Sequence, residues 1–205
     1  MTGTQVRDCT VAIGRPLGEV ITVEIRESSL NCSAGDMVLF STRMMWRTAC
    51  KKLKQATVST RMNSLIVQQR LLLPGNGIVL QYSSQVAAKK YHQDCDVQLF
   101  GPRGKIVNPV ARAGHEQQVA CRTFVDVAPQ FRIAIRAVRV APKTGTNQTH
   151  FSYISIRDIS AMRTAVFRGS QLFYWESSGS RAEIEFSKDF ASLHFQADYW
   201  ATKHK

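Results

Sequence analysis

Residues able to do covalent or metal chemistry are present, but not at the spacings that such chemistry requires. The five histidines, His92, His115, His150, His194 and His204, are scattered so that no two share a helical face. The His-Glu-x-x-His pattern, which aims two imidazoles at one zinc beside a general base, is missing. No Gly-x-Ser-x-Gly elbow presents a nucleophile. The run Gly101-Pro102-Arg103-Gly104-Lys105 is too short for a phosphate cradle and lacks the hydroxyl that should follow its lysine. Cysteines stand at Cys9, Cys32, Cys50, Cys95 and Cys121, with no Cys-x-x-Cys pair and no close histidine. That argues against a zinc finger and leaves disulfides or inert buried thiols. The expectation is a chain with no catalytic residue, no cofactor and no metal site.

What the residues can do is bind by surface. Lys and Arg number 27 against 15 Asp and Glu, a formal net charge of +12. Such a field attracts nucleic acid, heparin-like glycans, anionic membranes and acidic protein patches alike, so it selects no partner. The basic residues are spread thinly, with short clusters at Lys51, Lys52 and Lys54 and at Lys89 and Lys90. Trp46-Arg47 directly precedes the first cluster, and Trp and Arg are favoured interface anchors. Against this stands the reading that Trp46 fills a core and the lysines only keep the chain in solution. Two glycosylation sequons, Asn31-Cys32-Ser33 and Asn147-Gln148-Thr149, fall in turn-forming polar stretches. Beside widely spaced cysteines they point to an oxidising, secreted, extracellular setting. No run nears the roughly 18 apolar residues of a membrane span, and Met1 to Asp8 carries no secretory signal pattern.

The elements that must hold these residues are strands. Ile21, Val23 and Ile25 alternate with Thr22, Glu24 and Arg26, and Phe131, Ile133 and Ile135 alternate with Arg132 and Arg136. Both are half-buried antiparallel strands, and the second offers a further basic face. Leu65 to Val67, Ile78 to Tyr82, Tyr153 to Ile156, Leu172 to Trp175 and Ile184 to Phe186 read as strands as well. Gly75-Asn76-Gly77 and Ser177-Ser178-Gly179-Ser180 read as the turns of two hairpins. Helix is confined to single turns, Trp46 to Leu53 being the best candidate. With 205 residues there is room for two domains of about 100.

An internal repeat fits that number. Cys9, Val11, Ile13, Pro16 and the Ile21/Val23/Ile25 strand recur in order as Cys121, Phe124 or Val125, Val127, Pro129 and the Phe131/Ile133/Ile135 strand, at an offset of about 112 residues (121 − 9 = 112). Asn63 to Val67 and Ile78 to Tyr82 find their counterparts in Arg163 to Phe167, Leu172 to Trp175 and Glu183 to Ser187. Two similar β-sandwiches are therefore expected, residues 1–92 and 93–205.

Asn63-Ser64-Leu65-Ile66-Val67 followed by Gly77-Ile78-Val79-Leu80-Gln81-Tyr82 resembles the strand pair that ends a CUB domain, an extracellular jelly-roll sandwich of two sheets. Longer segments carry the likeness further. Val11 to Val20, Glu27 to Met37, Leu99-Phe100-Gly101-Pro102 and Leu172 to Ser177 are similar to the C-terminal tandem CUB pair of a disintegrin-like metalloprotease with thrombospondin repeats, the kind that cleaves von Willebrand factor. The resemblance covers nearly the whole chain and implies an all-β fold of two tandem CUB-type sandwiches.

It also implies two disulfides. Cys95 with Cys121 corresponds to the first CUB disulfide, and Cys32 with Cys50 to the second. The offset aligns Cys9 with Cys121, so the partner of Cys9 would fall before Met1. The chain is then expected to begin inside its first domain, without the N-terminal strand and with Cys9 left as a free thiol. Many CUB domains bind calcium through a Glu and two Asp carboxylates. Asp36 falls near the first Asp, but Arg70, Leu71 and Leu72 occupy the region of the second, and Asp158 and Glu176 do not fit the motif. Finally, the resemblance implies a non-catalytic regulatory role. The first CUB domain docks an aromatic and basic surface on the protease's own spacer domain, keeping the enzyme latent, and the pair engages von Willebrand factor. Trp46 and Arg47 match that surface, with Lys51 and Lys52 beside them, whereas Ser41 stands in place of a second Trp and Thr48 in place of a Lys. A generic polyanion module, binding heparin or nucleic acid through the +12 charge, is the alternative.

Overall fold

The computed structural model describes residues 7–43, 46–51, 53–72, 74–108, 120–142, 152–168, 171–187 and 193–203, the side chains of Trp46, Pro142 and Leu193 apart. The chain divides into two units, Met1–Tyr91 and His92–Lys205. Both are built from strands, and the described residues contain no helix.

In the first unit the strands are β1 (Arg7–Gly14), β2 (Glu19–Ser28), β3 (Met37–Ser41), β4 (Trp46–Ala49), β5 (Thr57–Ser59), β6 (Ser64–Leu71) and β7 (Ile78–Val86). They form one sheet in the order β1-β6-β3-β4 and another in the order β5-β2-β7. Alternation decides which side of each strand is apolar. Ile21, Val23 and Ile25 of β2 are fully buried and pack with Val38, Phe40, Leu65 and Val67 of the other sheet. A two-sheet sandwich follows, because neither face can be left in water. Tyr91, the last residue of this unit, is tied in: its hydroxyl donates to the Glu19 carbonyl at 2.8 Å and accepts from Gly18 N at 3.1 Å. Burial raises the pKa of that phenol, outweighing the bond from Gly18.

The second unit comprises β8 (Val97–Phe100), β9 (Arg103–Val107), β10 (Cys121–Asp126), β11 (Phe131–Pro142), β12 (Tyr153–Asp158), β13 (Arg163–Arg168), β14 (Tyr174–Glu176), β15 (Arg181–Phe186) and β16 (Leu193–Lys203). Its sheets run β13-β12-β15-β10-β8 and β14-β11-β16-β9. The first seven strands of the chain thus map in order onto β10 to β16. The map extends to an irregularity: the pairing of β2 with β7 slips between Ile25 and Glu27, and that of β11 with β16 between Ala137 and Arg139. The same bulge at the same place (137 − 25 = 112) fixes the repeat residue by residue.

The register and topology correct four sequence-based expectations. Ile21, Val23 and Ile25 correspond to Ile133, Ile135 and Ala137, one pleat further along than the aligned Phe131/Ile133/Ile135 set. Likewise β6 and β7 correspond to β15 and β16, not to 163–167 and 172–175, since Val67 is opposite Phe40 as Ile184 is opposite Ile156. The turns at 75–77 and 177–180 close no hairpins. They carry the chain from one sheet to the other, β6 to β7 and β14 to β15, because turn residues mark a reversal without specifying which edge is met next. The helical turn expected over Trp46 to Leu53 is instead β4, drawn into a hairpin with β3 by the pairs Phe40↔Arg47 and Leu39↔Thr48.

Among the described residues nothing in the first unit corresponds to β8 and β9. In the second unit β8 lies parallel beside β10, with Thr123 opposite Val97. Thr123 is 2% exposed, while its counterpart on the open edge, Val11, is 50% exposed. Cys9 is likewise an exposed free cysteine. The structure joins Cys32 to Cys50 and Cys95 to Cys121, with Cα atoms 5.7 and 5.5 Å apart. Where the first unit closes with Cys32–Cys50, the second packs phenylalanines: Phe167, at the register position of Ala49, stacks on Phe173 at 3.9 Å, and Phe186 meets Phe195 edge-on at 5.6 Å. Replacing Cys121 by Ala should lower the stability of the second unit by about 2–4 kcal/mol, the usual worth of a closed loop of this size. Urea denaturation monitored by circular dichroism measures that loss.

Candidate partner-docking site

The candidate surface lies at the edge strand β4. Arg47 and Thr48 are exposed there, and Cys50 follows directly, held by its disulfide to Cys32 on the β2–β3 connection. The next segment is fixed from below: Leu53 is 5% exposed and belongs to the core. Gln55 takes a left-handed backbone (φ 62°) and donates its N–H to Ile25 O at 2.8 Å, while Ile25 N donates to Ala56 O at 3.0 Å. Lys51 and Lys54 therefore project from a loop nailed at both ends. Among the described residues neither Arg47 nor Lys51 has an ion-pair partner. Lys52 and the side chain of Trp46 lie outside the described residues, so the core-or-anchor alternative for Trp46 stays open. Ser41, opposite Trp46 in the β3–β4 pair, is 2% exposed.

Asp36 is a clamp. Its carboxylate, 2% exposed, accepts from Asn31 N at 2.9 Å, Leu72 N at 2.7 Å and Asn76 Nδ2 at 2.7 Å. These bonds tie the connection that carries Cys32 to the crossover between β6 and β7. The carboxylate is thereby spent on backbone and amide donors. Asp158 does similar work in the second unit, accepting from Ser160 N at 3.0 Å, Ala161 N at 3.2 Å and Ser178 N at 2.5 Å. No group of three or more His, Cys, Asp or Glu side chains converges among the described residues. Asn31 is exposed, and its side-chain oxygen accepts from Ser33 Oγ at 2.7 Å. Asn147 lies outside the described residues.

The second unit differs at the matching edge. Trp46 and Arg47 correspond to Thr164 and Ala165 of β13, so neither matching position is aromatic or basic, although exposed Arg163 and Arg168 end the same strand. A group of aromatic and basic side chains, Tyr174, Arg136 and Trp200, stands instead on the outer face of β14-β11-β16-β9; the basic strand face of Arg136 was expected from the sequence, but its ring neighbours Tyr174 and Trp200 were not. The signal was present in Leu193 to Lys203, where Phe195, Ala197 and Tyr199 alternate inward. Small alanines weaken that apolar stripe, and an outward Trp200 blurs its period.

No protein-family model matches the sequence. The chain is 50% identical over 195 residues to a disintegrin and metalloproteinase with thrombospondin motifs 13 of Mus musculus, and 48% identical over 202 residues to that of Homo sapiens. These alignments cover 94% and 98% of this chain but 14% of either relative, so the chain spans about a seventh of their length. Among solved structures it is similar to the CUB1-EGF-CUB2 domain of human MASP-1/3 (13% identity, TM-score 0.42, 96% of this chain and 93% of that one). It is similar also to the CUB1-EGF-CUB2 domains of rat MASP-1 (13% identity, TM-score 0.40, 95% and 91%).

Proposed function

We propose that this chain, related over nearly all its length to a segment of that metalloprotease, is a non-catalytic recognition module of a secreted protease of the same kind. Its first sandwich docks on the protease's own spacer domain through Trp46, Arg47, Lys51 and Lys52 and holds the enzyme latent. The pair of sandwiches also binds von Willebrand factor, the substrate. The observation that carries this reading is the alignment at 50% identity over 94% of the chain, joined to an exposed Arg47 on a disulfide-bounded edge. A loop fixed before binding loses less entropy on docking than a loose one. Secretion agrees with the two disulfides, and no helix among the described residues is long and apolar enough to cross a membrane.

The +12 charge favours a second reading, a generic binder of heparin or nucleic acid. Salt separates the two. Titrating the chain with spacer-containing protease, with von Willebrand factor and with heparin from 50 to 300 mM NaCl should show heparin affinity falling steeply, through counterion release, and the protein affinities only modestly. Equal salt slopes for all three would favour the polyanion reading.

A further inference from the structure

The two units share one backbone plan, so each position of one is a control for the other. On the outer face of β5-β2-β7 the first unit carries Thr57, Glu24, Gln81 and Ser83, with the Arg26 guanidinium bonded to Glu24 at 2.7 Å and to Gln81 at 2.6 and 3.0 Å. Register places Tyr174, Arg136, Asp198 and Trp200 at the same four positions of β14-β11-β16-β9 (174 − 57 = 117; 136 − 24 = 112). The first unit has no ring at any of these four positions, so nothing in the shared fold requires Tyr174 and Trp200 there. In the second unit the Tyr174 and Trp200 rings lie 6.1 Å apart, and the Arg136 guanidinium sits 5.9 Å from the Trp200 centroid. The Arg136 side chain is 61% exposed and meets Asp198 only at 4.0 Å; Tyr174 is 55% exposed. Beyond Trp200 and Asp198, β9 adds Arg103 and Lys105, both exposed. Neither has an ion-pair partner among the described residues.

From this face we infer that the second unit binds an acidic protein segment, one carrying an apolar or aromatic side chain among its carboxylates. An exposed Tyr174 beside a half-buried Trp200, flanked by guanidinium groups, has the composition of an interface anchor. The carboxylates of the partner meet Arg103, Lys105 and the open side of Arg136, while its apolar side chain covers Tyr174 and Trp200. Glu176 and Asp198 argue for a protein over a sulfated glycan. They are fixed on the same face, Glu176 at 3.4 Å from Arg132 and bonded to the Tyr174 hydroxyl. A chain bearing sulfates at every step meets both negative charges, whereas a peptide can place its carboxylates to miss them. This face is independent of the β4 edge, and its test does not involve the spacer.

The test grafts the first unit's residues onto the second: Tyr174→Thr, Arg136→Glu, Asp198→Gln and Trp200→Ser together, the residue types that stand at these four positions of the shared plan. Arg61→Ser, at an exposed site elsewhere, removes the same single net positive charge and is the control. Each full chain is titrated with a random glutamate–tyrosine copolymer, with polyglutamate and with heparin, beside a thermal melt. The graft should keep its melting midpoint and bind the copolymer about tenfold more weakly or worse, while Arg61→Ser stays within about twofold. Polyglutamate should bind more weakly than the copolymer. Trp200→Ser alone should reproduce most of the loss, which keeps the test open if the graft does not fold. Equal weakening by the graft and by Arg61→Ser overturns the inference. So does a graft that loses heparin but keeps the copolymer.

Discussion

Replacing Arg122 by Met should destabilise the second unit by about 3–5 kcal/mol, the usual consequence of leaving one member of a buried ion pair alone. The Asp96 side chain is fully buried, and Arg122 reaches it with Nη2 at 2.7 Å, Nε at 3.1 Å and its backbone N at 2.8 Å. Gln93 N donates to the same carboxylate at 2.9 Å. Burial works to lower the pKa of the guanidinium, but the hydrogen bonds and charge of Asp96 prevail and raise it. The pair adjoins both ends of the Cys95–Cys121 disulfide, so it fixes the entry of the chain into β8 and β10 together. Arg122→Met leaves the carboxylate charged and without its cation. Adding Asp96→Asn keeps an acceptor for the Arg122 backbone N–H while removing the charge, and should recover more than half of the loss. Denaturation monitored by fluorescence measures both variants. A loss below about 1 kcal/mol for Arg122→Met would mean that the pair behaves as a solvated surface bridge.

The position corresponding to Arg122 in the first unit is Thr10, exposed on the open edge of β1. This contrast explains much of what could be read in the sequence and what could not. Alternation in Ile21/Val23/Ile25 and Ile133/Ile135 is local, so the strands and the all-β class were visible. Sheet order is not local. Asn76 looks like the tip of a hairpin, yet it donates to Asp36, 40 residues away, and the strands on either side enter different sheets. Trp46 to Leu53 lacks alternation because β4 is four residues long, and its geometry is set by the partner strand β3. The short β4 also explains the candidate site: Arg47 and Lys51 announce basic chemistry as residue types, but only the disulfide, Leu53 and the left-handed Gln55 make their loop a fixed surface. The face of Tyr174, Arg136 and Trp200 assembles from three strands and has no signature within any one of them.

The second large effect is functional. With Trp46 as a surface anchor, replacing Trp46 and Arg47 together by Ala should abolish binding to the spacer-containing protease while moving stability by about 0.5 kcal/mol or less. Arg47→Glu, at a side chain known to be exposed, should by itself weaken docking about tenfold or more through charge reversal at the anchor. A Trp46 buried in the core would behave otherwise: its removal would cost about 3–5 kcal/mol and the first unit would unfold. The decisive measurement is therefore one binding curve to the spacer-containing protease with a thermal melt of the same preparation, for the unaltered chain, for Arg47→Glu and for the double variant. Docking through the β4 edge predicts native melts with binding reduced in the first variant and lost in the second. Native melts with binding unchanged in both would contradict it.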